Sequence, residues 1–376
     1  MTTKASEIDY VRTGPGTLAG RYMRRFWHPV FRSQDLPAGQ AKPLRILGED
    51  FTLYRGETGK AHAVDFRCAH RGAQMSIGFI EGDCLRCFFH GWMYDANGQC
   101  VDRPGERQEA NKNIKIRGYP TEEYLGMIFV YFGEGEPPPL PRFPRMEEEG
   151  ILDVIADILP CNYFYSMEND AFHFAFAHRD LLVDKGLEGV PEVWAEESDW
   201  GITTYDRWPN RNSVGIAQKG MPNVGYIVPA ALLLAKGTKF ALHVSWRVPI
   251  DDDNHITLRA NLTPITGEEA RKVLESRKPS YYDRSEISKF GNAILAGKMR
   301  LEDIKDRTHI EFIQDYIAQV GQGPVSTRDH EVLGKSDAAT VLWRRIWRRE
   351  LKAMQDGQPL KQWNLTDKID TPIGTV

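Results

Sequence analysis

Two short segments of the 376-residue chain bring thiols and imidazoles together: Cys68-Ala69-His70 and Cys87-Phe88-Phe89-His90. Two thiolates and two imidazoles can close a tetrahedral site around one zinc. They can also hold a two-iron cluster, with both thiolates on one iron and both imidazoles on the other. Structural zinc favours Cys or His pairs separated by about two to five residues. A C-x-H pair followed by C-x-x-H suits the two-iron cluster better, while Cys84-Leu85-Arg86-Cys87 keeps zinc as the competing reading. Gly72 and Gly91, close behind the two histidines, permit tight backbone whose amides can approach cluster sulfurs.

A second set of donors follows as D-x-x-H-x4-H: Asp170, His173 and His178. Two imidazoles and one carboxylate form a facial triad that leaves positions on Fe(II) open for O2. At about 100° per residue, Asp170 and His173 share a helix face, whereas His173 and His178 diverge by about 140°. A regular helix therefore cannot aim both imidazoles at one metal. Either the helix is distorted there or His178 lies past its end. The bland alternative makes both histidines polar members of the aromatic-rich run 162–178.

These residues need elements to hold them. The first third reads as short strands, at 43–55, 61–68, 85–95 and 126–133, punctuated by turns such as 56–59 and Ala96-Asn97-Gly98. That pattern predicts a small antiparallel domain. Five prolines within 134–144 deny that stretch both helix and central strand, so the division is placed there, giving domains 1–140 and 141–376. Beyond it, 162–178 opens as helix. Strands are predicted at 201–208, 240–250 and 255–264, with a turn at 251–254, and helices at 308–320 and 336–351. A helical entry, an antiparallel sheet and closing helices describe an α+β fold.

Composition bounds the function. With 48 basic against 52 acidic residues, a net charge of −4 gives no global reason to expect nucleic acid as a partner. No apolar stretch is long enough to cross a bilayer, and the start lacks the apolar region of a secretory signal, so no membrane partner is expected. Five cysteines make no disulfide scaffold and fit a cytoplasmic, reducing compartment, with Cys84, Cys100 and Cys161 left as free thiols. The basic stretch WRRIWRR (343–349) reads as a helix packed through its apolar positions, with its charges solvated.

CAHRGAQMS (68–76) with CFFHGWMYD (87–95) resembles the Rieske domain of bacterial Rieske non-heme iron oxygenases. Respiratory Rieske proteins carry an extra cysteine in each loop; Ala73 and Phe89 occupy those positions here, which speaks against that type. DAFHFAFAH (170–178) resembles the iron-binding segment of the oxygenase α subunits. Asn169 and Asp170 are adjacent where the family usually separates them, so the carry-over reaches Asp170 and not Asn169. IEFIQDYIAQVGQGPVSTRDHEVLGKSD (310–337) resembles a segment of the phthalate dioxygenase-like subfamily, which makes Asp315 the carboxylate ligand, with Asp306 or Glu311 as alternatives. The likeness extends over nearly the whole chain, including 14–30 and 47–56.

The resemblance implies an N-terminal antiparallel β Rieske [2Fe–2S] domain, then a helix-grip (Bet v 1-like) catalytic domain. Cys68, His70, Cys87 and His90 would bind the cluster, and His173, His178 and Asp315 a mononuclear Fe(II). It further implies a terminal oxygenase that takes NAD(P)H-derived electrons from a ferredoxin or flavin-dependent reductase. With O2 it would hydroxylate or O-demethylate an aromatic, carboxylated substrate. The assembly would be a homotrimer in which Asp170 bridges a cluster histidine of one subunit to His173 of the next. Arg207, Arg211, Lys219 and Arg247 are the cations offered to a carboxylate, and 240–248 with the apolar run 227–235 are offered as pocket wall. The different-class alternative is a Rieske-type electron carrier or a zinc-binding module without oxygenase activity.

Overall fold

The computed structural model describes residues 8–107, 113–182, 186–227, 242–277 and 283–364. Contacts divide the chain into two units, 12–141 with 248–251, and 1–11 with 142–247 and 252–376. Residues 228–235 of the apolar run offered as pocket wall lie outside the described residues.

The first unit contains α1 (Leu18–Met23), β1 (Trp27–Arg32), β2 (Ala41–Ile46), β3 (Glu49–Arg55), β4 (Ala61–Asp65), β5 (Phe79–Glu81), β6 (Cys84–Arg86), β7 (Met93–Tyr94), β8 (Cys100–Asp102), β9 (Gly118–Tyr119), β10 (Thr121–Tyr124) and β11 (Met127–Tyr131). Among the described residues these strands make sheets ordered β1-β11-β10, β2-β3-β4-β9 and β5-β6-β7-β8, antiparallel throughout. The run 43–55 is a hairpin and not one strand, because Leu47 and Gly48 both take positive φ and reverse the chain. The sheet β5-β6-β7-β8 matters most for the site. Tyr54, Val64, Met75, Leu85, Tyr94, Cys100 and Ile116 pack into one apolar cluster that also encloses Cys68 and Cys87.

The second unit opens with β12 (Ile151–Leu159) and α2 (Tyr163–Glu168), continues with β13 (Glu192–Glu197), β14 (Gly201–Arg207), β15 (Val214–Gly220), β16 (Val224–Ile227), β17 (Leu242–Pro249) and β18 (His255–Thr263), and closes with α3 (Gly267–Ser276), α4 (Ser285–Leu295), α5 (Ile310–Val320) and α6 (Ala338–Gln355). Its sheet runs β12-β18-β17-β16-β15-β14-β13, so the first strand pairs with the last, from Ile151 opposite Thr263 to Leu159 opposite His255. This is the expected α+β architecture, with the turn at 251–254 in its expected place.

Helix α5 packs on α4, where Gly291 lets the Tyr316 ring lie against the backbone, and Tyr316 Oη donates to Asn292 Oδ1 at 2.9 Å. It also meets the sheet, since the Arg259 guanidinium of β18 lies 5.1 Å from the Phe312 ring centroid. In α6, Trp343, Ile346, Trp347 and Leu351 are buried at helical spacing, as expected. Arg344 departs from the expectation of solvated charges. It is buried and paired, because Glu168 and Glu331 face it from the end of α2 and from the chain before α6.

Two candidate metal centres

In the first unit, two loops hold the Cys–His pairs in the same way. The Cys68 N–H donates to the Ala73 carbonyl at 2.8 Å and the Cys87 N–H to the Trp92 carbonyl at 2.7 Å. The Gly72 and Gly91 N–H groups return to the Cys68 and Cys87 carbonyls, each at 3.0 Å. Both glycines sit at positive φ, 72° and 75°, where a side chain would be strained. The residue before each cysteine locks the turn from outside. Arg67 Nη1 donates to the Gly72 carbonyl at 3.2 Å and Arg86 Nη1 to the Gly91 carbonyl at 2.7 Å. Arg67 and Arg86 escaped the reading of the sequence, although the repeated Arg-Cys-x-x-x-Gly was there to be seen.

The thiols point inward and the imidazoles outward. Cys68 and Cys87 are buried, whereas His70 and His90 are exposed with ring centroids 4.7 Å apart. His70 stacks flat on Trp92 at 4.4 Å, which fixes its plane. Burial pushes the Cys68 thiol up, so a bound cation is needed to hold it as thiolate, and the Tyr94 hydroxyl lies 3.3 Å from its sulfur. Two buried thiols beside two exposed imidazoles fit a cluster with a buried iron and an exposed iron.

The second centre is built where α2 ends. Asn162 caps that helix by accepting the Phe164 N–H, and Glu168 at its last turn is gripped by Arg344 and Arg328. Asp170 Oδ1 then accepts the Phe172 N–H at 2.9 Å and starts a separate 3₁₀ helix, Ala171–Ala175. His173 lies inside that turn and His178 beyond it. The break resolves the angular conflict between the two imidazoles, and their Nε2 atoms come within 2.9 Å of each other. Asp315 arrives from α5, with Oδ1 at 3.4 Å from His173 Nε2 and 3.3 Å from His178 Nε2.

Both other ring nitrogens are already committed. His173 Nδ1 donates to the Asp170 backbone carbonyl, and His178 Nδ1 donates to Gln314 Oε1 at 2.7 Å. Two bare Nε2 lone pairs and a carboxylate oxygen therefore converge, an arrangement that repels itself unless a cation lies between. Three ligands about 2.1 Å from a metal and mutually at right angles would stand about 3.0 Å apart. The observed 2.9–3.4 Å edges fit a facial triad. Burial opposes ionisation of Asp315, and positive charge at this position, carried by the imidazoles when protonated, holds its carboxyl well below the usual carboxylate range. Asp306 is committed to Thr308, whose N–H and hydroxyl it accepts at 3.0 and 2.6 Å.

Asn169, which the sequence comparison set aside, donates from Nδ2 to Asp315 Oδ1 at 3.0 Å. Buried Lys219 donates to the Asn169 carbonyl at 2.8 Å, and burial lowers its pKa to about 8. Strand register places Lys219, Gly225 and Ser245 on one face of the sheet, and alternation along β17 adds His243 and Arg247. Burial lowers the Arg247 pKa to about 9, and Arg259, whose charge acts on both Arg247 and His243, is lowered as well. Of the four cations offered to a carboxylate, Lys219 and Arg247 lie on this face. Arg207 is exposed, stacked on Trp194 and paired with Glu192, and Arg211 follows the end of β14.

Residues 26–120 match the Rieske [2Fe-2S] domain. Over 96% of its length the chain is 29% identical to the oxygenase subunit of 5,5'-dehydrodivanillate O-demethylase from Sphingobium sp., covering 83% of that protein. It is 27% identical to the phthalate 4,5-dioxygenase oxygenase subunit of Pseudomonas putida over 95% of this chain and 88% of that one. The chain carries a Rieske [2Fe–2S] domain and, over nearly its whole length, is similar to the oxygenase subunits of Rieske terminal oxygenases. It is an oxygenase with a Rieske [2Fe–2S] cluster and a mononuclear iron centre. Its fold is that of the carbazole 1,9a-dioxygenase terminal oxygenase from Nocardioides aromaticivorans, at a TM-score of 0.65 and 19% identity over 92% of this chain and 96% of that one. Among the described residues, no helix of the oxygenase subunit is long and apolar enough to cross a membrane.

Proposed function

We propose that Cys68, His70, Cys87 and His90 hold the [2Fe–2S] cluster of this terminal oxygenase, and that His173, His178 and Asp315 hold its catalytic iron. The convergence of three acceptor atoms, the two Nε2 atoms and Asp315 Oδ1, 2.9–3.4 Å apart, carries the reading. When bound, the cluster supplies one-electron transfer and the iron activates O2. The chain's own residues do the rest. Nδ1–H bonds hold both imidazoles in the ligating tautomer, Asn169 restrains the carboxylate, and the helix break sets the ligand angles.

The substrate is an aromatic compound bearing a carboxylate, hydroxylated or O-demethylated. Lys219 and Arg247 support this, since register and alternation place both cations, each desolvated by burial, on one sheet face. A substrate carboxylate would accept from such donors. Relatives named for O-demethylation of dehydrodivanillate and dioxygenation of phthalate act on compounds of this class.

Electrons come from a ferredoxin or a flavin-dependent NAD(P)H reductase, as the ferredoxin complexes of carbazole 1,9a-dioxygenase suggest. The working assembly is a homotrimer in a cytoplasmic, reducing setting. Exposed Ile77, Phe79, Phe88 and Phe89 beside the cluster histidines support a covered surface there. In that assembly the Asp170 carboxylate links a cluster histidine to the neighbouring His173 segment. Metal and acid-labile sulfide analysis tests the ligand sets. About three irons and two sulfides per chain are expected. His178→Ala should lose one iron and keep the visible cluster spectrum, and Cys87→Ala the reverse. Zinc, or protein free of sulfide, would end the reading.

A further inference from the structure

His173 and His178 have their distal nitrogens held by different devices. For His173 the acceptor is a backbone carbonyl, fixed by the 3₁₀ turn. For His178, which is fully buried, it is the side-chain amide of Gln314. An amide has two ends, and a swapped amide would present N–H to the ring. The ring would then have to accept at Nδ1, placing its proton on Nε2, where it would meet the metal.

What decides the amide's orientation is Asp180, an acceptor only. Gln314 Nε2 donates to Asp180 Oδ1 at 2.7 Å, and Arg307 holds the other oxygen, Oδ2. The order Arg307–Asp180–Gln314–His178 thus runs from a rim ion pair, with side chains 45% and 36% exposed, to an imidazole with no exposure. Every donor in it has one acceptor, so one protonation pattern satisfies the whole chain.

We propose that Gln314, oriented by Asp180 and Arg307, is a positioning residue that fixes the His178 tautomer and thereby the iron affinity of the site. The proposal rests on the reading of His173, His178 and Asp315 as iron ligands.

The test is Fe(II) binding by holoprotein with its cluster intact, after the mononuclear iron has been removed, in competition with a chromogenic chelator. Gln314→Leu should weaken Fe(II) binding about 10–100-fold with the cluster spectrum unchanged. Asp180→Asn, at the rim, should weaken it less, because an asparagine can face Gln314 either way. The double variant Gln314→Glu with Asp180→Asn restores the sequence of donors and acceptors, and should recover affinity to within a few-fold of wild type. Unchanged affinity in Gln314→Leu, or a double variant no better than Gln314→Leu, would overturn the relay. Wild-type protein that takes up no Fe(II) would instead remove the iron reading beneath it. Should Gln314→Leu not fold, Asp180→Asn and the double variant decide alone.

Discussion

Glu168 stands one residue before the segment that carries the iron-site residues, and it is held by two guanidinium groups. Arg344 reaches it with Nε at 2.5 Å and Nη2 at 2.9 Å, and Arg328 adds a third bond through Nη2. Glu331 closes the ring, accepting from Arg344 Nη1 at 2.6 Å and Arg328 Nε at 3.0 Å. Two positive and two negative charges cancel, and three of the four side chains are only 10% exposed, with Glu331 at 27%. Glu168→Gln keeps the shape and removes one negative charge, leaving the ring with a net positive charge in a desolvated place. Breaking a buried ion pair costs about 3–5 kcal/mol, and the partial exposure of Glu331 argues for the lower end, about 3 kcal/mol. For a unit of this size that corresponds to a fall of about 6–12 °C in the melting temperature. Because Asn169 bonds directly to Asp315, iron retention should fall as well. Differential scanning calorimetry with iron analysis reads both effects. Adding Arg344→Met to Glu168→Gln removes the excess positive charge, so the double variant should lose at least 1 kcal/mol less than the sum of the singles. A shift below about 2 °C for Glu168→Gln, with additive singles, would refute the view that this ring clamps α6 to the iron-site segment.

Three other outcomes are expected. Gly291→Ala would press a methyl group into the Tyr316 ring at the α4–α5 contact, costing about 1–3 kcal/mol by overpacking, which thermal denaturation would register. Glu197, bonded to Arg349 and Lys361, has its pKa lowered to about 2 from the ordinary 4.5. A carboxylate depressed on folding contributes its stability fully above the unfolded pKa and loses it as pH falls from about 4.5 to 2. With Arg349 nearly half exposed the contribution is on the order of 1 kcal/mol, and Glu197→Gln should flatten the denaturation curve over that interval alone. Asp170→Asn retains the oxygen that accepts the Phe172 N–H, so the 3₁₀ turn and both metal centres should persist while product formation with reconstituted donors nearly vanishes; unimpaired turnover would sink the bridging role.

Local chemistry was legible where the residues that act together are neighbours in the chain. Cys68-x-His70 and Cys87-x-x-His90 each lie within one turn, so their spacing carried their geometry. The strands expected at 201–208, 240–250 (described from Leu242 onward) and 255–264 and the helices at 308–320 and 336–351 were visible through periods near 2 and 3.6. Strands β12, β13, β15 and β16 were missed, as were α3 and α4 as separate helices. Their apolar alternation is weak: in β12 only Ile151 is fully buried, and the strand is recognisable chiefly by its pairing with β18.

Arg344 shows a different failure. Its place in a basic helix spoke for solvent, and no local pattern announced that Glu168 and Glu331 would fold onto it. The sequence by itself determined which donors exist, that the cluster loops turn at glycines, and that His173 and His178 could not share a regular helix. Only the tertiary structure decided which carboxylate meets those imidazoles, that Asn169 and Gln314 hold them, and that Lys219 and Arg247 face inward. Those partners lie 136 residues apart for His178 and Gln314 and 146 for Asn169 and Asp315. A bond across such a distance has no local period to announce it; it exists because packing α5 beside the broken helix puts the two segments within reach.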